Sequence, residues 1–112
     1  MNCLKKCIIL IVISCTISGC LHSVNLRQGI ESFRKQDYRS AFIRLRPAAE
    51  HGQHDAEYAV GYMYYYGQGV VEDKRQAWFW ISRAAAAGQP DAIAAADMIK
   101  KGRAKLIPIQ EQ

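Results

Sequence analysis

The chain has 112 residues, of which 50% are hydrophobic and 22% are charged, a length and composition that predict one folded domain. The formal net charge is +5, but Lys5 and Lys6 lie in a leader that we expect to be removed, which leaves 13 basic and 10 acidic residues and a charge of +3. This mild excess argues against nucleic acid as a partner, because nucleic-acid binding typically comes with a basic stripe on one face.

All four cysteines lie in the first 20 residues, and residues 21–112 contain none. The folded part can therefore have no internal disulfide, no CxxC redox pair, no thiolate metal site and no cysteine nucleophile. Several enzyme classes are excluded on this ground. The four residues are Cys3, Cys7, Cys15 and Cys20.

The leader has the order of a bacterial secretory signal. Lys5 and Lys6 form a basic start, an apolar run covers residues 7–17, and two small residues precede Cys20. The run spans 11 residues, which is too short for the roughly 20 that a membrane-spanning helix needs. We predict a signal peptide over residues 1–19.

The end of the leader, Ile17-Ser18-Gly19-Cys20, resembles the lipobox of bacterial lipoproteins. The resemblance implies that Cys20 is acylated and becomes the first residue of the mature chain, followed by a linker over residues 20–23. Cys15 ends a weaker match, which would leave an apolar core of only about seven residues. An ordinary cleaved signal or an uncleaved anchor is the alternative. Leu21 in place of Asp implies, by the Gram-negative sorting rule, an outer-membrane protein that faces the periplasm or the cell surface.

Five helices are predicted in the mature chain, and no strand is needed. Leu26, Ile30 and Phe33 give the first helix its spacing, while Asp37 and Asp73 are N-caps of the second and fourth. Glycines end the last four helices. The predicted helices cover residues 24–36, 38–51, 54–66, 74–87 and 90–101, within a repeat domain over residues 24–102, and residues 103–112 form a tail that is either a cap or a loose end.

A shift of 36 residues aligns the chain with itself, pairing Ala48 with Ala84, Gly52 with Gly88 and Asp55 with Asp91. A period in the thirties is typical of stacked helical hairpins. Small residues on the inner faces would let the helix axes approach closely. The pattern predicts an all-α fold, a short α-solenoid of about two and a half repeats.

A set of residues at fixed spacings resembles the Sel1-like repeat, a subclass of the tetratricopeptide-related solenoids. Val60 and Val71 stand where that pattern has Leu and Pro. The resemblance covers one complete repeat over residues 56–88, with partial repeats on both sides. It implies a right-handed stack of antiparallel helix pairs whose concave face holds protein partners, often at bacterial envelopes. The residues that carry it are Ala56, Gly61, Tyr64, Gly67, Gly69, Asp73, Ala77, Trp80, Ala84, Ala85 and Gly88.

Three tyrosines of the third helix share the side opposite Ala56. Tyrosine is enriched in binding hot spots because it offers a large rigid area and a hydroxyl. We predict that Tyr58, Tyr62, Tyr65 and Trp78 contact a partner; packing against a neighbouring helix is the competing interpretation. Gly67 and Gly69 are expected to take positive φ in the loop that follows.

No cofactor, metal site or catalytic set is expected. His51 and His54 straddle a helix break and lack a suitable third ligand. Most of the carboxylates, a set that includes Glu57, are expected at caps or exposed positions. The basic cluster after residue 99 is expected to be a solvated helix end, with contact to anionic lipid or an acidic partner as the alternative.

We therefore expect a lipid-anchored adaptor of the cell envelope that binds a protein partner. Solenoids usually need about three repeats for stability, so a homodimer or self-associating structural lipoprotein is an alternative. A cell-wall or β-lactam hydrolase is a third and less favoured hypothesis.

Overall fold

The computed structural model of the protein describes residues 2–6, 24–102, 106, 108 and 109, and all regular secondary structure within them is helical. Residues 2–6 form a short helical stretch. The repeat domain contains α1 over residues 24–34, α2 (Tyr38–Glu50), α3 (His54–Tyr66), α4 (Lys74–Ala86) and α5 (Pro90–Lys100). The all-α prediction is confirmed, and each predicted helix end lies within two residues of the observed one.

Cys15, Cys20 and the apolar run of the leader lie outside the described residues, so the signal peptide and the lipidation stay predictions. No helix in the part of the chain that the structure describes is both long and apolar enough to cross a membrane.

Side-chain caps fix where the helices begin. Asp37 Oδ1 accepts a hydrogen bond from the Ser40 amide at 3.2 Å, and Asp73 Oδ1 accepts one from the Gln76 amide at 3.1 Å. Both predicted N-caps are confirmed, since each satisfies an amide that has no partner within its own helix. Gln89 is a cap that the sequence analysis missed: its Oε1 accepts from the Ala92 amide at 2.6 Å.

Two glycines with positive φ lie in the turn that follows α3, as predicted. Gly67 has a φ of 67° and Gly69 a φ of 70°, so the prediction for this loop is confirmed. Gly67 is the left-handed cap of α3, and the next amide, that of Gln68, donates to the Met63 carbonyl at 2.9 Å. The chain then turns sharply into α4.

The helices pack in chain order, α2 on α3, α3 on α4 and α4 on α5. On the α2 side, the ring of Tyr64 lies edge-on to Phe42 with centroids 5.3 Å apart, and its hydroxyl accepts from Arg46 Nη1 at 3.2 Å. Alanines fill the interfaces between the helices. Fully buried alanines are Ala41, Ala48, Ala49, Ala56, Ala59, Ala77, Ala84, Ala92 and Ala95.

α3 and α4 lie in close contact at Gly61. A methyl group placed there would lie 2.7 Å from Ile81 Cγ1 and 3.1 Å from the Ala77 carbonyl oxygen. These distances leave no room for a Cβ atom, so glycine is required for this contact. Trp80 and Ile81 of α4 are 5% and 0% exposed and complete the core beside it.

A buried ion pair also joins α3 to α4. Glu57 is 1% exposed, and its Oε1 lies 2.8 Å from Arg83 Nε, while its Oε2 lies 3.5 Å from His54 Nδ1. Glu57 is therefore an exception to the expectation that most carboxylates lie at caps or exposed positions. The side chain of Arg83 is 46% exposed and lies over the Trp80 ring, so water reaches one partner of the pair.

We predict that Arg83→Ala lowers the free energy of unfolding by about 1.5–3 kcal/mol, because it leaves the buried Glu57 carboxylate without its main partner. Glu57→Gln removes the buried charge. Arg83→Ala should therefore lower the free energy of unfolding less in the Glu57→Gln chain than in the unaltered chain. Urea unfolding followed by far-UV circular dichroism measures the free energy of unfolding of the unaltered chain, the two single variants and the double variant. Arg75→Ala, at an exposed position of α4, is the control and should cost less than about 0.5 kcal/mol. Strict additivity of the two changes would show that the pair contributes nothing.

Candidate functional site

Three tyrosines form a row along one side of α3, at spacings of four residues. The Tyr58 and Tyr62 ring centroids lie 6.3 Å apart, and the Tyr62 and Tyr66 centroids lie 4.8 Å apart. Residues four apart lie above one another on a helix, so the rings form a continuous ridge. Together with Phe33 and Tyr38, which contact this row, the three tyrosines are called the aromatic cluster below.

The aromatic cluster joins α3 to the first two helices. The Phe33 ring of α1 lies 6.0 Å from the Tyr62 ring and 5.1 Å from the Tyr38 ring, both edge-on. Edge-to-face pairs at these centroid distances are a favoured geometry for aromatic side chains. The cluster is therefore a packed surface and does not depend on α3 alone.

The predicted partner-binding residues fall into different environments. Tyr58 is 0% exposed, so its prediction as a contact residue is wrong and the packing interpretation holds for this ring. Tyr62 is partly buried within the cluster, whereas Tyr66, which the sequence analysis missed, is 36% exposed.

Tyr65 and Trp78 face other neighbours. The partly buried Tyr65 lies beside α4, where Lys74 Nζ sits 3.4 Å from its ring centroid and donates to its carbonyl oxygen at 2.7 Å. Trp78, on α4, is 38% exposed, and Lys100 Nζ of α5 lies 5.8 Å from its ring centroid. Tyr65 still touches the Tyr66 ring, with centroids 5.0 Å apart, and so borders the aromatic cluster.

The C-terminal tail also reaches the aromatic cluster. The Leu106 amide donates a hydrogen bond to the Tyr66 hydroxyl at 2.7 Å. Leu106 and Ile109 are 2% and 1% exposed, so both belong to the core. Of the two interpretations left open for the tail, the described tail residues match a cap.

Ile109 occupies the far side of the cluster, at the turn between α1 and α2. It lines a cleft of about 320 Å³ together with Phe33, Arg34, Gln36 and Tyr38. The described tail residues, which follow α5 in the chain, thus lie at the end of α3, at Tyr66, and at the end of α1. The C-terminal ends of α1, α3 and α5 lie on one side of the domain because alternate helices in an antiparallel stack run in the same direction.

The cluster favours neutral tyrosine hydroxyls. Burial raises the pKa of Tyr58 well above its ordinary value, and the nearby Asp91 carboxylate adds to the effect. Burial also raises the pKa of Tyr62, with smaller contributions from Tyr66 and Tyr38. The hydroxyls of Tyr58 and Tyr62 are therefore uncharged at neutral pH.

The histidines that the sequence analysis weighed have separate partners. His51 Nδ1 lies 2.6 Å from the Pro47 carbonyl oxygen, and His54 lies beside Glu57. Among the residues that the structure describes, no group of three or more His, Cys, Asp or Glu side chains is placed to bind a metal.

Comparison with known proteins bears on the middle of the chain. Residues 54–89, which cover α3, the loop and α4, match the family model of the Sel1 repeat. The resemblance predicted over residues 56–88 is confirmed. No curated protein and no solved structure matches the chain.

We predict that alkaline pH destabilises the fold through the buried tyrosines. Their pKa values are higher in the folded chain than in the unfolded chain, so their stabilising contribution is complete below about pH 10 and is lost as the pH rises further. Urea unfolding at a series of alkaline pH values should show this decline. Tyr58→Phe should make the decline shallower, and Tyr65→Phe, which removes one hydroxyl from a less buried ring, is the control. Equal slopes for Tyr58→Phe and the unaltered chain would contradict the prediction.

Proposed function

We propose that this chain, which carries a Sel1 repeat over residues 54–89, is an adaptor that binds a partner protein at the aromatic cluster. Sel1 repeats generally mediate binding to protein partners, and proteins that contain them are typically non-enzymatic adaptors. In this chain the binding surface is the aromatic cluster.

The observation that carries the proposal is the arrangement at the C-terminal end of α3. Tyr66 is partly exposed on a ridge of packed rings, and on the far side of the aromatic cluster a cleft is lined by Phe33, Tyr38 and Ile109. Rigid aromatic rings next to a cleft resemble the anchor pockets at the centres of protein interfaces. The rings are already held by their neighbours, so binding orders few additional side chains.

We further propose that the adaptor acts at a membrane, through acylation of Cys20. The support is the lipobox resemblance at residues 17–20, together with the short apolar run that precedes it. Several acyl chains give stable attachment where a single chain would bind only marginally. Attachment would hold a small binding module at high local concentration on one surface.

In cells, a photo-crosslinking residue at position 66 should capture a discrete partner, identified by mass spectrometry, because Tyr66 is the exposed end of the ridge. A probe at position 79 is the matched control, since Phe79 is an exposed aromatic residue on α4. Capture of the same partner from both positions, or from position 79 alone, would contradict binding at the aromatic cluster. A crosslink of the chain to itself at position 66 would favour the self-associating lipoprotein instead.

Cys20→Ser should abolish incorporation of labelled palmitate and release the chain from the membrane fraction, because no thiol remains at the lipidation position. Cys15→Ser is the matched control and should leave labelling and fractionation unchanged. Labelling that depends on Cys15 and not on Cys20 would place the cleavage at the weaker site. Labelling that survives both substitutions would overturn the lipoprotein proposal.

A further inference from the structure

Two aliphatic side chains of the tail are as buried as those of the helices, although they lie beyond the last helix. α5 ends at Lys100, yet Leu106 and Ile109 are 2% and 1% exposed. Each lies at a different part of the aromatic cluster, Leu106 beside Tyr66 and Ile109 in the wall of the cleft that Phe33 and Tyr38 also line. The tail therefore occupies the surface at which we propose that a partner binds.

The contacts of the tail are those that a bound peptide would make. One backbone amide donates a hydrogen bond to a tyrosine hydroxyl at 2.7 Å, and two aliphatic side chains three residues apart are buried in the hydrophobic core. Leu106, Pro108 and Ile109 belong to no helix or strand. Pro108, which is exposed between the two buried residues, has no amide hydrogen that would need a partner.

The free energy that keeps the tail on the aromatic cluster is small. Burial of two aliphatic side chains and one neutral hydrogen bond is opposed by the loss of conformational entropy of the residues that follow α5. The tail competes mainly because it is tethered, so its effective concentration at the cluster is high. A ligand with the same contacts can therefore displace it.

We propose that the tail is an internal ligand that occupies the partner site, and that the partner supplies an extended peptide with two aliphatic side chains three residues apart. This inference rests on the proposed adaptor function. The peptide takes the positions of Leu106 and Ile109, and its amide donates to the Tyr66 hydroxyl. Only molecules in which the tail has left the site can bind the partner. The apparent affinity is therefore the intrinsic affinity multiplied by the fraction of such molecules.

The test uses the full chain and a fluorescent peptide with the sequence of residues 103–112, whose binding is followed by anisotropy. The unaltered chain should bind the peptide weakly, and the Leu106→Ala/Ile109→Ala chain should bind it at least about tenfold more tightly, because its own tail no longer competes. A peptide with serine at positions 106 and 109 is the control and should not bind. Each single substitution should give an intermediate gain, so the inference stays testable if the double variant does not fold.

A second comparison isolates the hydrogen bond. In the tail-substituted chain, Tyr66→Phe should weaken peptide binding by about two- to tenfold, which is the usual net value of one hydrogen bond. In the chain with its own tail, the same change should have a smaller effect, because the tail and the peptide lose the same contact.

Equal peptide affinity in the unaltered and tail-substituted chains, or no binding to a tail-substituted chain that is folded by circular dichroism, would overturn the inference. A dimer of the unaltered chain in analytical ultracentrifugation that the tail substitutions abolish would also overturn it, because the tail would then serve a second copy. Failure of the peptide assay with a partner still captured from position 66 would leave the adaptor function standing. Loss of that capture would refute the adaptor function itself.

Discussion

The close approach of α3 to α4 at Gly61 is the contact on which the rest of the structure depends. The α-carbon of Gly61 packs so near Ile81 and the Ala77 carbonyl that no side chain fits between the two helices. Glu57, one turn earlier on the same side of α3, adds the buried ion pair with Arg83. Once this side of α3 is fixed on α4, the row that begins at Tyr58 is turned away from α4. The aromatic cluster is thus a consequence of where the smallest residue of α3 is placed.

The sequence was sufficient for the helices because their signals are local. Asp37 and Asp73 cap the helices they precede, and Gly67 ends α3, with each contact spanning only a few residues. It was insufficient for the site. Helical spacing alone placed Tyr65 in the row, although the observed row continues to Tyr66 and Tyr65 lies under Lys74 of α4. Residues 65 and 66 lie on either side of the line through Tyr58 and Tyr62. Which of the two continues the row depends on how the neighbouring helix packs.

Two further features needed contacts between distant parts of the chain. The burial of Glu57 depends on Arg83, which lies on the next helix, and no local pattern marks the pair. The Leu106 amide bonds to a hydroxyl 40 residues earlier, so a tail without periodicity could be interpreted as a cap or as a loose end. In a solenoid each repeat is normally covered by its neighbours. Here the tail supplies, at the ends of α1 and α3, apolar surface that additional repeats would otherwise provide.

The proposed anchor and the proposed binding site are close to each other along the chain, and this limits what the partner can be. Three residues separate Cys20 from the start of α1, so the four steps from one α-carbon to the next reach about 14 Å when fully extended. α1 has 11 residues and a length of about 16 Å, and the aromatic cluster lies at its far end. With a lipid at Cys20, Phe33 of the cluster can lie no more than about 30 Å from the membrane surface. A partner peptide that displaces the tail must then reach this layer, which favours a segment near the membrane over a domain held far from it.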